Sequence, residues 1–380
     1  MSVPGNTQLQ LSAEQAMLLD VARDFCRDRS PVAAARELLE TEAGFDAGLW
    51  KEMVGLGWTG IGLPESCGGS ALGASALVPV MEAMGRSMVA SPLLSTSVAA
   101  QLLLRGAGAD RAEAWLADIA AGTAASVTWL ENGDWGDESV GVELNEELVL
   151  RGGKKFVPDA AAAGLLVVPV QYRGELALAV VRTSLLGDTA LRANTLIDLT
   201  KRSADVDFSG VQLEPEDVIA GPAVAAALRD ARLIGALLVA AEATGSTAAC
   251  LDTVVEYLKT RKQFGRLIGS YQALKHPTVD ILLEMDSARS FIYHAATLVD
   301  ENSLDRDAEI ACRMAKVQAS QALVYAGDRA VQFHGAMGFT WECDAQLYIR
   351  RAQWSRQQFA DPLHHRKRLA HLLLDQESAP

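Results

Sequence analysis

Apolar residues recur at helical spacing through the first third of the chain. Ser12-Ala13-Glu14-Gln15 fits a capping box with Gln15 at the N3 position. Ala16, Leu18, Leu19, Ala22 and Phe25 then follow at a helical period. Phe45 to Leu56 reads as a second helix closing near Gly57, and Leu63-Pro64-Glu65 with Gly68-Gly69 reads as turn punctuation. Further helices are expected over Ser75 to Met88, Ser95 to Arg105 and Ala112 to Ala120. Near Gly122 the pattern becomes short and strand-like. Ser126 to Leu130, Leu165 to Val170, Leu176 to Val181 and Asp205 to Leu213 are strand candidates. Leu148-Val149-Leu150 and Lys155-Phe156-Val157 read as a hairpin around Gly152-Gly153, with Pro158 ending one strand and Pro215 closing the region. From about Gly221 the chain returns to helix. Val224 to Val255 is rich in Ala, Leu and Gly, and Pro277 sits near the start of another long helix, where proline is tolerated. The class is α+β in the order helix, sheet, helix, with expected domains at 1–121, 122–219 and 220–380.

Composition narrows the function classes. A chain of 380 residues suits two or three domains, and 49% hydrophobic against 22% charged residues is a globular balance. Thirty-four basic against 48 acidic residues give a net charge of −14, which argues against a nucleic-acid or anionic-membrane surface. Five scattered cysteines with no C-x-x-C pair give no support to a zinc or dithiol site and suit reduced thiols in a cytoplasmic protein. No signal peptide is read in Met1 to Leu11, and no apolar stretch is long enough to span a bilayer. Six scattered histidines suggest no metal site; His276 and His334 are read as hydrogen-bonded packing residues.

Two C-terminal segments carry the candidate chemistry. The first is Arg261-Lys262-Gln263-Phe264-Gly265, followed by Ile268-Gly269, Gln272 and His276. The second is Gln332-Phe333-His334-Gly335-Ala336-Met337-Gly338-Phe339-Thr340. Together they resemble the flavin-contacting signature of the acyl-CoA dehydrogenase family. Earlier matches extend the resemblance over nearly the whole chain: Phe45-Asp46 with Leu49-Trp50, Gly57-Trp58, Glu82 with Gly85-Arg86, and Asp207-Phe208-Ser209-Gly210-Val211. The resemblance implies an all-α N-terminal domain, a central β-barrel-like domain and a C-terminal four-helix bundle. It implies FAD as cofactor, an acyl-CoA substrate, an electron-transfer flavoprotein as acceptor, and a site completed across a subunit interface. The subunits are then a homodimer, a homotetramer or a pairing with a homologous second chain. By resemblance, Arg261 pairs with the FAD pyrophosphate, Phe264 packs on the cofactor and Gln272 hydrogen-bonds it. Gln332, Gly335 and Ala336 meet its pyrophosphate or adenine end from the partner subunit.

The proton-abstracting base is not where the family usually keeps it. The family's chemistry is α,β-dehydrogenation, in which a carboxylate takes the α-proton of the thioester. Its commonest base is a Glu in a Tyr-Glu-Gly turn, a position that falls here on Phe359, with Asp361 the nearest carboxylate. Asp361-Pro362 also reads as the N-cap and first residue of a helix, and the cap is the favoured reading. Some members carry the base on the helix before the Arg261 segment. That position falls on Gly235, with Glu242 two turns further along the same face. Glu242 is therefore the second candidate base, or a buried structural Glu, or a residue lining the acyl pocket. The family's Thr-Glu-Pro-Gly-Ala-Gly-Ser-Asp loop is replaced by Thr128-Trp129-Leu130-Glu131-Asn132-Gly133-Asp134, its Trp-Ile-Thr by Phe156-Val157-Pro158, and an expected helix Arg by Ala236. Three readings follow: an active dehydrogenase using Asp361 or Glu242, a base-deficient FAD-binding subunit of a hetero-oligomer such as those of steroid side-chain degradation, or a binding protein without turnover.

Overall fold

The computed structural model describes residues 13–41, 43–300 and 303–375. Ser12 of the expected capping box lies outside them. Helix α1 (Ala13–Arg29) buries Leu19, Ala22 and Cys26, the inward face of its periodic stripe. The short helix α2 (Val32–Glu37) was not expected, because six residues are too few to show a period. Helix α3 (Ala47–Gly55) starts where Asp46 accepts from Gly48 N at 2.6 Å and Leu49 N at 3.3 Å. Helices α4 (Leu77–Arg86), α5 (Leu93–Ala107) and α6 (Ala109–Ala120) complete the N-terminal part.

The central region holds β1 (Ala125–Val127), β2 (Glu143–Leu144), β3 (Leu150–Arg151), β4 (Gly153–Pro158), β5 (Leu165–Tyr172), β6 (Glu175–Arg182), β7 (Leu191–Ala193), β8 (Ser203–Asp207) and β9 (Val218–Ala220). They form a six-stranded sheet, β3-β2-β5-β6-β9 with β1 beside β5, and a three-stranded sheet, β4-β8-β7. The sheets do not close into a barrel. The hairpin expected around Gly152-Gly153 does not form. β3 pairs instead with β2, Glu143 opposite Arg151, and β4 pairs with β8, Gly153 opposite Asp207. The reversal lies at Asn145 to Val149, where Asn145 Oδ1 accepts from Val149 N at 2.8 Å and Leu148 takes a φ of 59°. Gly152, at φ 111°, carries the chain from one sheet to the other. Paired glycines signal a special backbone, not which strand lies opposite.

Helix α7 (Ala223–Thr260) opens the C-terminal part. The two-residue strands β10 (Lys262–Gln263) and β11 (Arg266–Leu267), then α8 (Gln272–Ala296), α9 (Arg306–His334), α10 (Ala345–Gln357) and α11 (Pro362–Leu374) follow. α7, α8, α9 and α10 pack as the bundle, with α11 laid on α9. The N-terminal helices join it without a gap. A Cβ on Gly245 would fall 1.8 Å from Glu82 O, and one on Gly85 would fall 1.9 Å from Glu242 O, so α4 and α7 touch backbone to backbone. Ser246 Oγ donates across that contact to Gly85 O at 2.8 Å. All five cysteines are free thiols, and no described helix is long and apolar enough to cross a membrane.

Candidate functional site

The two C-terminal motifs share one face. β10 and β11 form a hairpin whose two loop residues, Phe264 (φ 52°) and Gly265 (φ 79°), both take positive φ. A bulky residue in that conformation is uncommon, and this turn leaves Phe264 92% exposed. The hairpin is braced from its base. Tyr271 Oη donates to Gln263 O at 3.1 Å, the Arg266 guanidinium lies 4.0 Å over the Tyr271 ring, and Ile268 N donates to Arg261 O at 2.9 Å. Tyr257, one turn before Arg261, stacks on His334 with ring centroids 4.1 Å apart. His334 Nδ1–H donates to Ala330 O at 2.7 Å, which makes it the packing residue expected; His276 is exposed instead. The stack joins the end of α7 to the end of α9, and so brings Arg261, Phe264 and Gln272 to the same side as Gln332, Gly335 and Ala336. All six are exposed. No carboxylate among the described residues pairs with Arg261, and Gly335 turns at φ 61° with open space where a Cβ would be. An unpaired guanidinium, an exposed aromatic ring on a braced turn and an approachable backbone fit a diphosphate-bearing flavin. They offer it an outward face rather than a cleft.

The chain's own cleft lies between the central sheets and helices α7 and α10. Here the two positions on which the resemblance places a base come together. A Cβ on Gly235 would sit 2.4 Å from the Phe359 ring. The same ring meets Trp129 edge-on at 5.9 Å, while Trp135 packs on Phe156 at 5.6 Å. The Arg232 guanidinium lies 4.8 Å over Trp129, without an ion pair among the described residues. Phe359 walls three separate cavities of about 20 Å³ each, room for roughly one water molecule apiece. The Ser126 and Thr128 hydroxyls are buried without a partner, and Ser126 borders the cavity nearest α5. Pro158 denies the cleft the hydroxyl and N–H that the family's Thr supplies there.

The structure gives both candidate carboxylates other partners. Asp361 caps α11: its Oδ1 accepts from His364 N at 2.8 Å, with Pro362 at the first helical position. Glu242 shares the α7 face with Gly235 but lines none of the three cavities. Its Oε1 accepts from Lys201 Nζ at 2.6 Å and from Arg351 at 2.8 Å, and its Oε2 has no partner. Arg351 also bonds Asp198 and Thr200 Oγ1. The four charges of this network, Lys201, Asp198, Glu242 and Arg351, tie the loop before β8 to α7 and α10. Burial pushes the Asp198 carboxyl up, but the Arg351 charge and the Thr200 bonds outweigh it and hold it low.

Sequence reasoning missed Asp159. It follows Pro158 with a φ of 50°, lines the cavity nearest α5, and accepts from Ser95 Oγ at 2.7 Å. No spacing or motif marks it, because Ser95 and Lys201 reach it from remote segments. Burial raises its carboxyl to about 6 against an ordinary 3.8, with Ser95 and Lys201 opposing. The native state thus holds this proton more tightly than the unfolded chain does. The stability this gives is full below the ordinary value and is lost as pH rises through the native one. Asp159→Asn is expected to flatten the stability curve in that window and to gain about 1–3 kcal/mol at neutral pH. Urea midpoints on either side of the window test this; an unchanged slope would assign the titration elsewhere.

Comparison with known proteins agrees with the architecture. The family model for the acyl-CoA dehydrogenase N-terminal domain matches residues 12–123, and that for the C-terminal domain matches residues 226–357. The acyl-CoA dehydrogenase IpdE2 of Mycolicibacterium smegmatis is 28% identical over 362 residues, 94% of this chain and 98% of its own length. The acyl-CoA dehydrogenase FadE12 of Mycobacterium tuberculosis is 31% identical over 331 residues, 81% of this chain and 83% of its own. The ChsE4–ChsE5 complex from Mycobacterium tuberculosis shares the fold, with a TM-score of 0.85 at 22% identity over 97% of this chain and 99% of that one. On these matches the chain belongs to the acyl-CoA dehydrogenase family of FAD-dependent oxidoreductases acting on CH–CH bonds.

Proposed function

We propose that this chain is the base-lacking subunit of a hetero-oligomeric acyl-CoA dehydrogenase, lending its flavin-contacting face to a homologous chain that carries the base. The assembly converts an acyl-CoA thioester to its trans-2-enoyl form and passes the electrons to an electron-transfer flavoprotein. The contact of Phe359 with Gly235 carries this reading. Both positions for a base are occupied by residues without a carboxylate, and the Phe359 ring fills the space that a side chain at Gly235 would need. A carboxylate of the second chain removes the α-proton, and the acceptor for the β-hydride would be supplied by FAD when bound. Arg261 anchors the pyrophosphate, Phe264 and Gln272 hold the cofactor's flank, and Gln332, Gly335 and Ala336 border its pyrophosphate or adenine end. The likeness of fold to the two-component ChsE4–ChsE5 complex supports such pairing, and the likeness of fold to the Tcur3481–Tcur3483 steroid acyl-CoA dehydrogenase makes steroid-derived thioesters the substrates to try first.

A self-sufficient dehydrogenase is the second reading. Asp159 favours it, a carboxyl held near neutrality at the cleft wall. Anaerobic spectra separate the two. The chain alone, and the chain co-expressed with a base-bearing homologue, are mixed with short, long, branched and steroid-side-chain acyl-CoAs. Bleaching of bound flavin only in the co-expressed complex is the expected result. Bleaching of the lone chain by any thioester would sink the proposal.

A further inference from the structure

Two buried basic side chains converge on the turn that carries Phe359, and neither has a place in the proposed chemistry. Lys316 on α9 is 0% exposed, and no acidic side chain among the described residues pairs with it. Its Nζ spends three donors on Ser355 O at 2.8 Å, Arg356 O at 3.2 Å and Ser320 Oγ at 3.1 Å. The two carbonyls belong to the last turn of α10, where helical partners run out. Burial lowers this ammonium to about 7, with the Asp361 charge opposing. His365 on α11 is buried as well, and its Nε2 lies 2.9 Å from Phe359 O. That bond requires the proton on Nε2, so Nδ1 accepts from Arg313 at 3.3 Å, and Arg313 is held in turn by Glu309 Oε1 at 2.8 Å. Burial drives the imidazole down to about 2, so it stays neutral. Between the two anchors, Phe359 (φ 53°) and Ala360 (φ 75°) are consecutive non-glycine residues in the left-handed region. Such a backbone persists only when its surroundings over-determine it.

We infer that Lys316, Arg313 and His365 are positioning residues that clamp the α10–α11 turn and hold the Phe359 ring in this chain's cleft as a fixed plug, shutting out flavin and thioester. This rests on the reading of the chain as a base-lacking subunit, and it gives that reading a mechanism. In a pair with an open homologue only one cleft is then usable.

The test counts FAD per pair of chains, by flavin absorbance after gel filtration of the co-expressed complex from excess FAD. Phe359→Ala removes the plug and leaves the clamp. His365→Phe removes the bond to Phe359 O, and His365→Gln restores an amide donor. The wild type and His365→Gln should hold one flavin per pair. Phe359→Ala and His365→Phe should take up a second. If Phe359→Ala gains a flavin and His365→Phe does not, the clamp is overturned. If neither gains one, plug and clamp both fall. If His365→Phe cannot be purified, Lys316→Met is read the same way. A wild type already holding two flavins per pair would refute the closed cleft itself, independently of how the variants differ.

Discussion

Replacing Arg351 with methionine is expected to destabilise the protein by about 3–5 kcal/mol, as breaking a buried ion pair from one side does. Arg351 is 0% exposed and holds Asp198, Glu242 and Thr200 Oγ1 at once. With Lys201 the cluster is neutral, two acids against two bases. Methionine fills much of the volume but supplies no donor. Two buried carboxylates would then share the single ammonium of Lys201, and Glu242 Oε2 is already without a partner. Each carboxylate must stay charged at a desolvation cost or take up a proton. The damage should reach beyond α10, because Asp198 and Lys201 lie in the loop before β8 while Glu242 lies on α7. The urea midpoint of the purified chain, or the melting temperature of its complex, measures the effect. A loss below about 1 kcal/mol would mean that the cluster is solvated or rearranged and does not join the central sheets to the bundle.

Replacing Arg261 with alanine should leave stability within about 0.5 kcal/mol, since the side chain is exposed and makes no ion pair among the described residues. Flavin retention is expected to fall roughly ten- to hundred-fold, because a charge-assisted bond to a phosphate is worth about 1.5–3 kcal/mol. Lysine should restore part of it, offering charge without the planar fork. The flavin dissociation constant of the complex, read from recovery of flavin fluorescence on dilution, tests the assignment. Retention equal to wild type would show that Arg261 does not meet the pyrophosphate. Together with the Arg351 variant it separates two roles for arginine. One binds the fold to itself, and the other is left unpaired on the surface for a ligand.

Local signals carried far along this chain. The capping Asp361, the proline that opens α11, the apolar period of α1 and the Ala- and Leu-rich run of α7 are written in neighbouring residues, so these helices and the start of α11 were legible. The spacing of Arg261, Phe264, Gln272 and the Gln332 segment named the family and its cofactor, because those residues act through short stretches of backbone. The same reading failed at Gly152. Its glycines announced an unusual φ, while β4 was drawn off to β8, a strand far along the chain, and β3 was left to pair with its neighbour β2.

The sequence by itself determined that no carboxylate stands at position 235 or 359, and that Asp361 had a capping role open to it. Only the tertiary structure decided the rest. It set Phe359 against Gly235, closed the cleft with Trp129, gave Glu242 to Arg351 and Lys201, and brought Asp159 to the cavity wall. The reason is range. Helix, cap and motif follow from residues a few positions apart, whereas the fate of a buried charge or a plugging ring depends on which distant side chains pack around it.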